Sequence, residues 1–360
     1  MKAIVTILGI CLLFSACDKD MSPMSLEEIE FDPQPYEFNL PDHFPQMIIP
    51  ESNPMTVEGV ALGRRLFFDP ILSADNTLSC AGCHIPAANF TDNLAVSPGI
   101  DGITGVRSSM SLLNIGFNNN GFFWDGRVRS LEEQALLPVE DPIELHNTWT
   151  DVVADLQIDD VYPELFRRAF GITERTDITK ELAARAIAQF ERSLVSSGQS
   201  KYDRVISGDA VFTDEELLGH NIFFDIDPDV RRHAECGHCH NAPLFTTNEF
   251  FNNGLEDTDM ENLADVGLQE VTGRVFDAGK FRVPTLRNIE LSAPYMHDGR
   301  HATLDEVLDH YDRGVVFARN VDPNLRVLEM TADDRRALIA FIRTLADPDF
   351  TSDDRYNSPF

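Results

Sequence analysis

Positive charge is scarce in this 360-residue chain: 29 Lys and Arg stand against 60 Asp and Glu, a formal net charge of -31. A surface that acidic excludes nucleic-acid binding by phosphate neutralisation and favours basic partners. Long apolar runs are also missing. The one near the N-terminus, Ala3 to Phe14, is too short to span a bilayer. Cysteine is sparse and fully accounted for: of six, Cys11 and Cys17 lie at the N-terminus and four form two close pairs, Cys80 with Cys83 and Cys236 with Cys239. None remains for a structural disulfide elsewhere.

What is present begins with "MKAIVTILGICLLFSACDKD", a lysine, an apolar stretch and small residues before a cysteine. This is the layout of a secretory signal. "FSAC" resembles a lipobox, which makes residues 1–17 a signal ending at a lipidated Cys17. The alternative is an ordinary signal cleaved nearby. The expected location is periplasmic or outer-membrane-associated, with the membrane reached only through the lipid. Residues 18–45, rich in Pro and acidic side chains, read as a tether.

The cysteine pairs read "CAGCH" (80–84) and "CGHCH" (236–240), both C-x-x-C-H, the attachment pattern of c-type haem. Two thiols add across two vinyl groups, and the next residue supplies the proximal imidazole. Zinc also uses Cys and His but wants four convergent ligands. Each motif follows a similar block, "LGRRLFFD" (62–69) or "LGHNIFFD" (218–225), whose Asp lies eleven residues before the first Cys. The copies are offset by 156 residues, too long for a solenoid and suited to a duplicated domain. The spacing predicts an apolar helix, a turn and a haem in each half. Further helices are expected over 177–195 and 331–345, the latter capped by Thr331 and Asp334. The predicted fold is all-α: two cytochrome c-like haem domains with long irregular loops, over 46–198 and 199–347, followed by a tail at 348–360.

In "TLDEVLDHYDRG" (303–314), Thr303 and Glu306 form a capping box. Leu304, Val307, Leu308 and Tyr311 then share one face, and His310 points about 100° away. On the residues alone, Tyr311 is a core aromatic.

Four blocks, "LGRRLFFDPILS…LSCAGCH", "FFWDGRVRSLEEQALLPVEDPIEL", "CGHCHNAPLFTT" and "FRVPTLRNIELSAPYMHDGRHATLDEVLDHYDRG", resemble the bacterial di-haem cytochrome c peroxidase and MauG family over about residues 50 to 345. The resemblance implies two covalently bound haem c groups, with His84 and His240 as proximal iron ligands. It implies that hydrogen peroxide reacts at the N-terminal haem, managed by Gln134 and Glu144. An amide orients bound peroxide and a carboxylate carries its proton; the plain alternative for Glu144 is a solvated acidic loop. Trp124 falls at the family's inter-haem tryptophan, with core packing as the other reading. The histidine that caps the first haem in gated members aligns here with Ile100, and no His occurs between His84 and His146. The family's sixth ligand to the second haem lies fourteen residues after His297, at Tyr311. A Met there favours the reduced iron and a Tyr the oxidised. Met296 is the fallback ligand. His238, within the motif loop, is expected to face outward. A calcium ion is implied at the turn around Ser292 and Pro294, with Ser108 where the family has Asn, a weaker hard-cation site.

The resemblance thus implies a peroxidase near the MauG-like members, drawing electrons from a donor protein such as a basic cytochrome or oxidising Tyr or Trp side chains of a partner. The rival reading is a non-catalytic, membrane-tethered di-haem electron carrier.

Overall fold

Each L-G-x-x-[L/I]-F-F-D block forms a helix that packs on a helix from the end of its own half. The structure, a computed structural model, describes residues 25–226, 234–256 and 263–360. Cys17, the lipobox and residues 18–24 of the expected tether lie outside them. The first half contains α1 (Val57–Phe68), α2 (Cys80–Cys83), α3 (Leu131–Glu140), α4 (Trp149–Ile158), α5 (Tyr162–Phe170) and α6 (Lys180–Ser193). The second contains α7 (Lys201–Ile206), α8 (Asp214–Phe224), α9 (Leu268–Thr272), α10 (Leu304–Asp309), α11 (Ala332–Arg343) and α12 (Pro348–Thr351).

Helix α1 starts where the Thr56 side chain accepts from Gly59 N–H, and α8 starts at a capping box of Thr213 and Glu216. Their apolar faces, Leu62, Leu66 and Phe67 on α1 and Ile222 and Phe223 on α8, are buried. Helix α1 lies on α6 and α8 on α11. At each crossing the glycine of the repeated block faces a carbonyl of the partner helix. A Cβ on Gly63 would overlap Ala186 O, and one on Gly219 would overlap Ala337 O. The repeat therefore specifies a close helix approach as well as an apolar stripe.

Two large hydrophobic clusters result, beside a small one of Phe44, Val195 and Leu244. One gathers α1 and α3 to α6; the other gathers α7, α8, α10 and α11 around Phe223, Phe245 and Phe341. A buried ion pair stands between elements of the chain: Arg287 donates to both carboxylate oxygens of Asp203, at 2.7 and 2.8 Å. His43 also reaches Asp203, 2.8 Å from Nε2 to Oδ1. Burial raises the Asp203 carboxyl, but the Arg287 hydrogen bonds and charge outweigh it and hold the group below its ordinary value.

Two expectations need correction. Residues 25–45, read as tether, pack on the fold: Ile29 and Phe44 are buried, and Arg167 Nε donates to Ile29 O at 3.0 Å. The 348–360 tail returns to the first core. Phe350 and Tyr356 are buried there, Phe350 against Phe90 at 5.8 Å, and Arg64 Nε donates to Asn357 O at 2.7 Å. In both segments apolar side chains too widely spaced for a periodic signal find partners distant in sequence. Helices dominate as expected. Among the described residues the sheet structure is one antiparallel pair, β1 (Phe250–Phe251) with β2 (Phe281–Arg282), besides isolated bridges. No helix among the described residues is long and apolar enough to cross a membrane.

Candidate active site

The first C-x-x-C-H forms α2, closed by His84 N–H donating to Cys80 O at 3.0 Å; in the second, His240 N–H donates to Cys236 O at 2.8 Å. Both imidazoles are anchored alike. His84 Nδ1 lies 2.8 Å from Phe90 O, and His240 Nδ1 lies 3.2 Å from Phe245 O. Phe90 and Phe245 both have left-handed backbone, with φ of 58° and 54°. A carbonyl only accepts, so Nδ1 carries the proton in each ring and Nε2 keeps its lone pair. Burial lowers both histidines, His240 to about 4, so the rings are neutral and able to ligate. The thiols are free, and burial pushes Cys83 up to about 11 and Cys236 and Cys239 to about 12. His238 is exposed, yet it also lines the cavity beside the second motif, its ring 6.0 Å from that of Phe251.

Glu144 approaches the first motif, and Gln134 lies on the helix before it. Gln134 lies on α3, and its Oε1 is buried without a hydrogen-bond partner. Glu144 follows that helix. Its carboxylate acts electrostatically on both Cys80 and Cys83. Burial, with the charge of Asp141 adding and Arg127 opposing, pushes Glu144 up to about 7. The solvated-loop alternative does not describe it. Ile100 is beside it, its N–H donating to Glu144 O at 3.0 Å.

Residues 108–109 connect the two motifs. Trp124 Nε1 donates to Ser108 O at 2.9 Å. Ser109 Oγ donates to Cys83 O at 2.6 Å and lies 3.4 Å from His84 Nδ1. Trp124 is half-buried and lines a cavity together with His240 and Tyr311, whereas Trp149 is the core tryptophan. The Ser108–Ser109 link is illegible in the sequence, because a serine in an irregular loop carries no periodic signal.

The cavity beside the second motif is lined by all four residues of the expected face, Leu304, Val307, Leu308 and Tyr311. The Thr303–Glu306 capping box is present. However, the α-helix stops at Asp309 and residues His310–Gly314 form a π-helical turn. His310 is buried rather than simply turned away, its Nε2 lying 3.0 Å from Asn253 O. Burial raises the Tyr311 phenol to about 12, with a hydrogen bond from Asn253 opposing. The turn proposed for calcium is placed with Ser108 Oγ donating to Met296 O at 3.1 Å. Asn93 Nδ2 donates to Leu291 O and Ala293 O, on either side of Ser292, at 2.7 and 2.9 Å.

Two half-buried imidazoles thus each stand beside a pair of free thiols. Residues 57–211 match the family model for di-haem cytochrome c peroxidase. The methylamine utilization protein MauG of Methylorubrum extorquens is 35% identical over 86% of this chain and 83% of that protein. The cytochrome c551 peroxidase of Nitrosomonas europaea is 35% identical over 82% and 83%. A crystal structure of a MauG-like protein associated with microbial copper homeostasis superposes with a TM-score of 0.82 at 33% identity, covering 90% of this chain and 99% of that one. The chain belongs to the di-haem cytochrome c peroxidase and MauG family, and it is an enzyme of that peroxidase family.

Haem is the cofactor of that family, and the side chains fit it. Arg282 lines the second cavity, is buried, and meets only neutral acceptors: Asn248 Oδ1 at 2.9 Å, Phe123 O at 3.4 Å and Met110 Sδ at 3.3 Å. Burial lowers it to about 10. No carboxylate among the described residues pairs with it. A buried guanidinium of this kind suits a ligand that brings its own carboxylates, as the porphyrin propionates do.

Proposed function

We propose that the protein reduces hydrogen peroxide at an N-terminal haem held by Cys80, Cys83 and His84, and draws the electrons through a C-terminal haem held by Cys236, Cys239, His240 and Tyr311. The observation that carries this reading is the Glu144 carboxyl, held near neutrality beside the first motif. When bound, the first haem supplies the iron that binds peroxide and the redox equivalents that cleave its O–O bond. Glu144 takes the proton from the inner oxygen and delivers it to the outer one, which leaves as water. The Gln134 Oε1, buried and unpartnered, accepts from the peroxide O–H and orients it. Trp124 and the Ser108–Ser109 backbone stand between the two motifs and couple them.

Ile100 occupies the position of the gating histidine, so the ferric protein is open to peroxide without prior reduction, as in MauG-like members. Tyr311 favours the oxidised states of the second iron. The net charge of -31 suits a basic electron-donor protein, or a partner oxidised at Tyr or Trp. Residues 1–17 direct export, and Cys17 anchors the protein by lipid at the periplasmic face of a membrane.

The test is stoichiometric peroxide added to the fully ferric protein and followed optically. An immediate spectral change supports the ungated reading. A requirement for half-reduction replaces it with a gated peroxidase. No reaction in either state favours the electron carrier.

A further inference from the structure

We propose that Asn253 is a positioning residue that selects the axial ligand of the second haem, presenting Tyr311 while it restrains the two rivals, Met296 and His310. This rests on the reading of Tyr311 as that ligand.

Asn253 sits in the loop after β1, 58 residues from Tyr311 in sequence. Its side-chain amide faces two ligand candidates at once. Nδ2 lies 3.3 Å from the Tyr311 hydroxyl and 3.6 Å from Met296 Sδ. An amide has two N–H donors, one for each. Its backbone carbonyl meets the third candidate, 3.0 Å from His310 Nε2. Tyr311 and Met296 line the cavity beside the second motif, His310 is their neighbour, and all three contact one residue.

The consequences differ by chemistry. Because a carbonyl only accepts, His310 Nε2 carries its proton and has no lone pair to give. Its other nitrogen, Nδ1, is turned toward Gly314, where an added Cβ would lie 3.4 Å away. The imidazole, otherwise the better generic ligand, is thereby neutralised as a rival. For Met296 the N–H engages a thioether lone pair. For Tyr311 the same kind of donor does the opposite. Sulfur and oxygen each keep a second lone pair, but only a bound phenolate carries a negative charge, which an N–H on its oxygen stabilises.

The π turn contributes to this. It begins at His310, where the α-helix ends, and the side chains at 310 and 311 then meet the same Asn253 from carbonyl and amide sides. Insertions of this kind recur at functional sites.

The experiment uses full-length protein carrying both haems. Asn253→Leu removes the donor and leaves the carbonyl. The expected result is loss of the phenolate-to-iron signature in resonance Raman and absorption spectra, with a rise in the second haem's midpoint potential as the freed Met296 sulfur replaces it. The double variant Asn253→Leu/Met296→Leu removes that competitor, so the phenolate signature returns and the potential falls back. Asn253→Asp keeps size and shape, replaces the donor by an oxygen, and gives the same loss if the leucine variant does not accumulate. An unchanged phenolate signature and potential in the Asn253 variants overturns the proposal while sparing Tyr311. Absence of a phenolate signature from the unaltered protein, with no change in Tyr311→Phe, removes the ligand assignment itself.

Discussion

The backbone N–H of Ile100 donates to the carbonyl of Glu144 at 3.0 Å. The loop proposed to correspond to the capping-histidine loop of gated relatives is thus tied to the backbone of the residue proposed to handle the proton, and here it carries an aliphatic side chain. Gly99 reinforces the contact: a Cβ there would overlap the backbone of Ile143 and Glu144. Residues 99–100 and 143–144 thus pack backbone to backbone.

Under the proposed mechanism Glu144 sets a pH dependence. Its carboxyl is pushed up to about 7, chiefly by burial. The form that accepts a proton fills as pH rises through that value. The rate at which the ferric protein reacts with peroxide is expected to climb across that interval in stopped-flow measurements. Glu144→Gln lowers the rate by about 100-fold or more, the usual range for a positioned acid–base group, and flattens the profile. A Gln variant with the original rate and profile removes Glu144 from the mechanism.

Tyr311→Met exchanges an oxygen ligand for a thioether, which stabilises ferrous iron. Redox titration of the second haem should show a higher midpoint potential, with both haems still attached. An unchanged potential and spectrum means that Tyr311 packs in the cavity without ligating.

The helix crossings carry a stability prediction. Gly63→Ala and Gly219→Ala each force a methyl into a facing carbonyl. Each is expected to cost about 1–3 kcal/mol, the range for overpacking, read as a lower thermal midpoint. Gly105→Ala is the control, because its Cβ would meet the Ile143 side chain at 3.5 Å and Arg107 N at 4.0 Å, both ordinary contacts.

Glu191 gives a pH dependence of stability. It is 4% exposed on α6, its Oε2 has no hydrogen-bond partner, and burial pushes its carboxyl from 4.5 to about 8 despite neighbouring Arg192. Below the unfolded value both states hold the proton and there is no penalty. As pH rises from there to about 8, only the unfolded chain ionises freely, and stability is lost at roughly 1.4 kcal/mol per pH unit. Glu191→Gln should remove that loss, so the variant gains on the parent in chemical denaturation as pH increases from 5 toward about 8. Equal pH slopes for the two proteins contradict the assignment.

The parts of this molecule legible in advance are those whose causes are local. A capping box lies within four residues, so Thr303 with Glu306 and Thr331 with Asp334 were readable, and both form. The shared face of Leu304, Val307, Leu308 and Tyr311 follows from helical pitch and survives in the cavity lining. The π turn at His310–Gly314 was not legible, because nothing in "HYDRG" departs from an α-helical pattern. Nor was the return of residues 348–360 to the first core, where Phe350 and Tyr356 find partners far away in sequence.

Sequence by itself determined the duplicated halves, the two thiol–imidazole motifs and the family, because each depends on residue identity at short fixed spacing. Tertiary structure decided which polar groups meet across long separations. It set Glu144 in a half-buried place where desolvation raises its carboxyl to about 7, and it brought Asn253 to Tyr311 across 58 residues. Burial and proximity belong to the packed chain, so desolvation and loop-to-loop hydrogen bonds enter only when the loops have folded onto the helices.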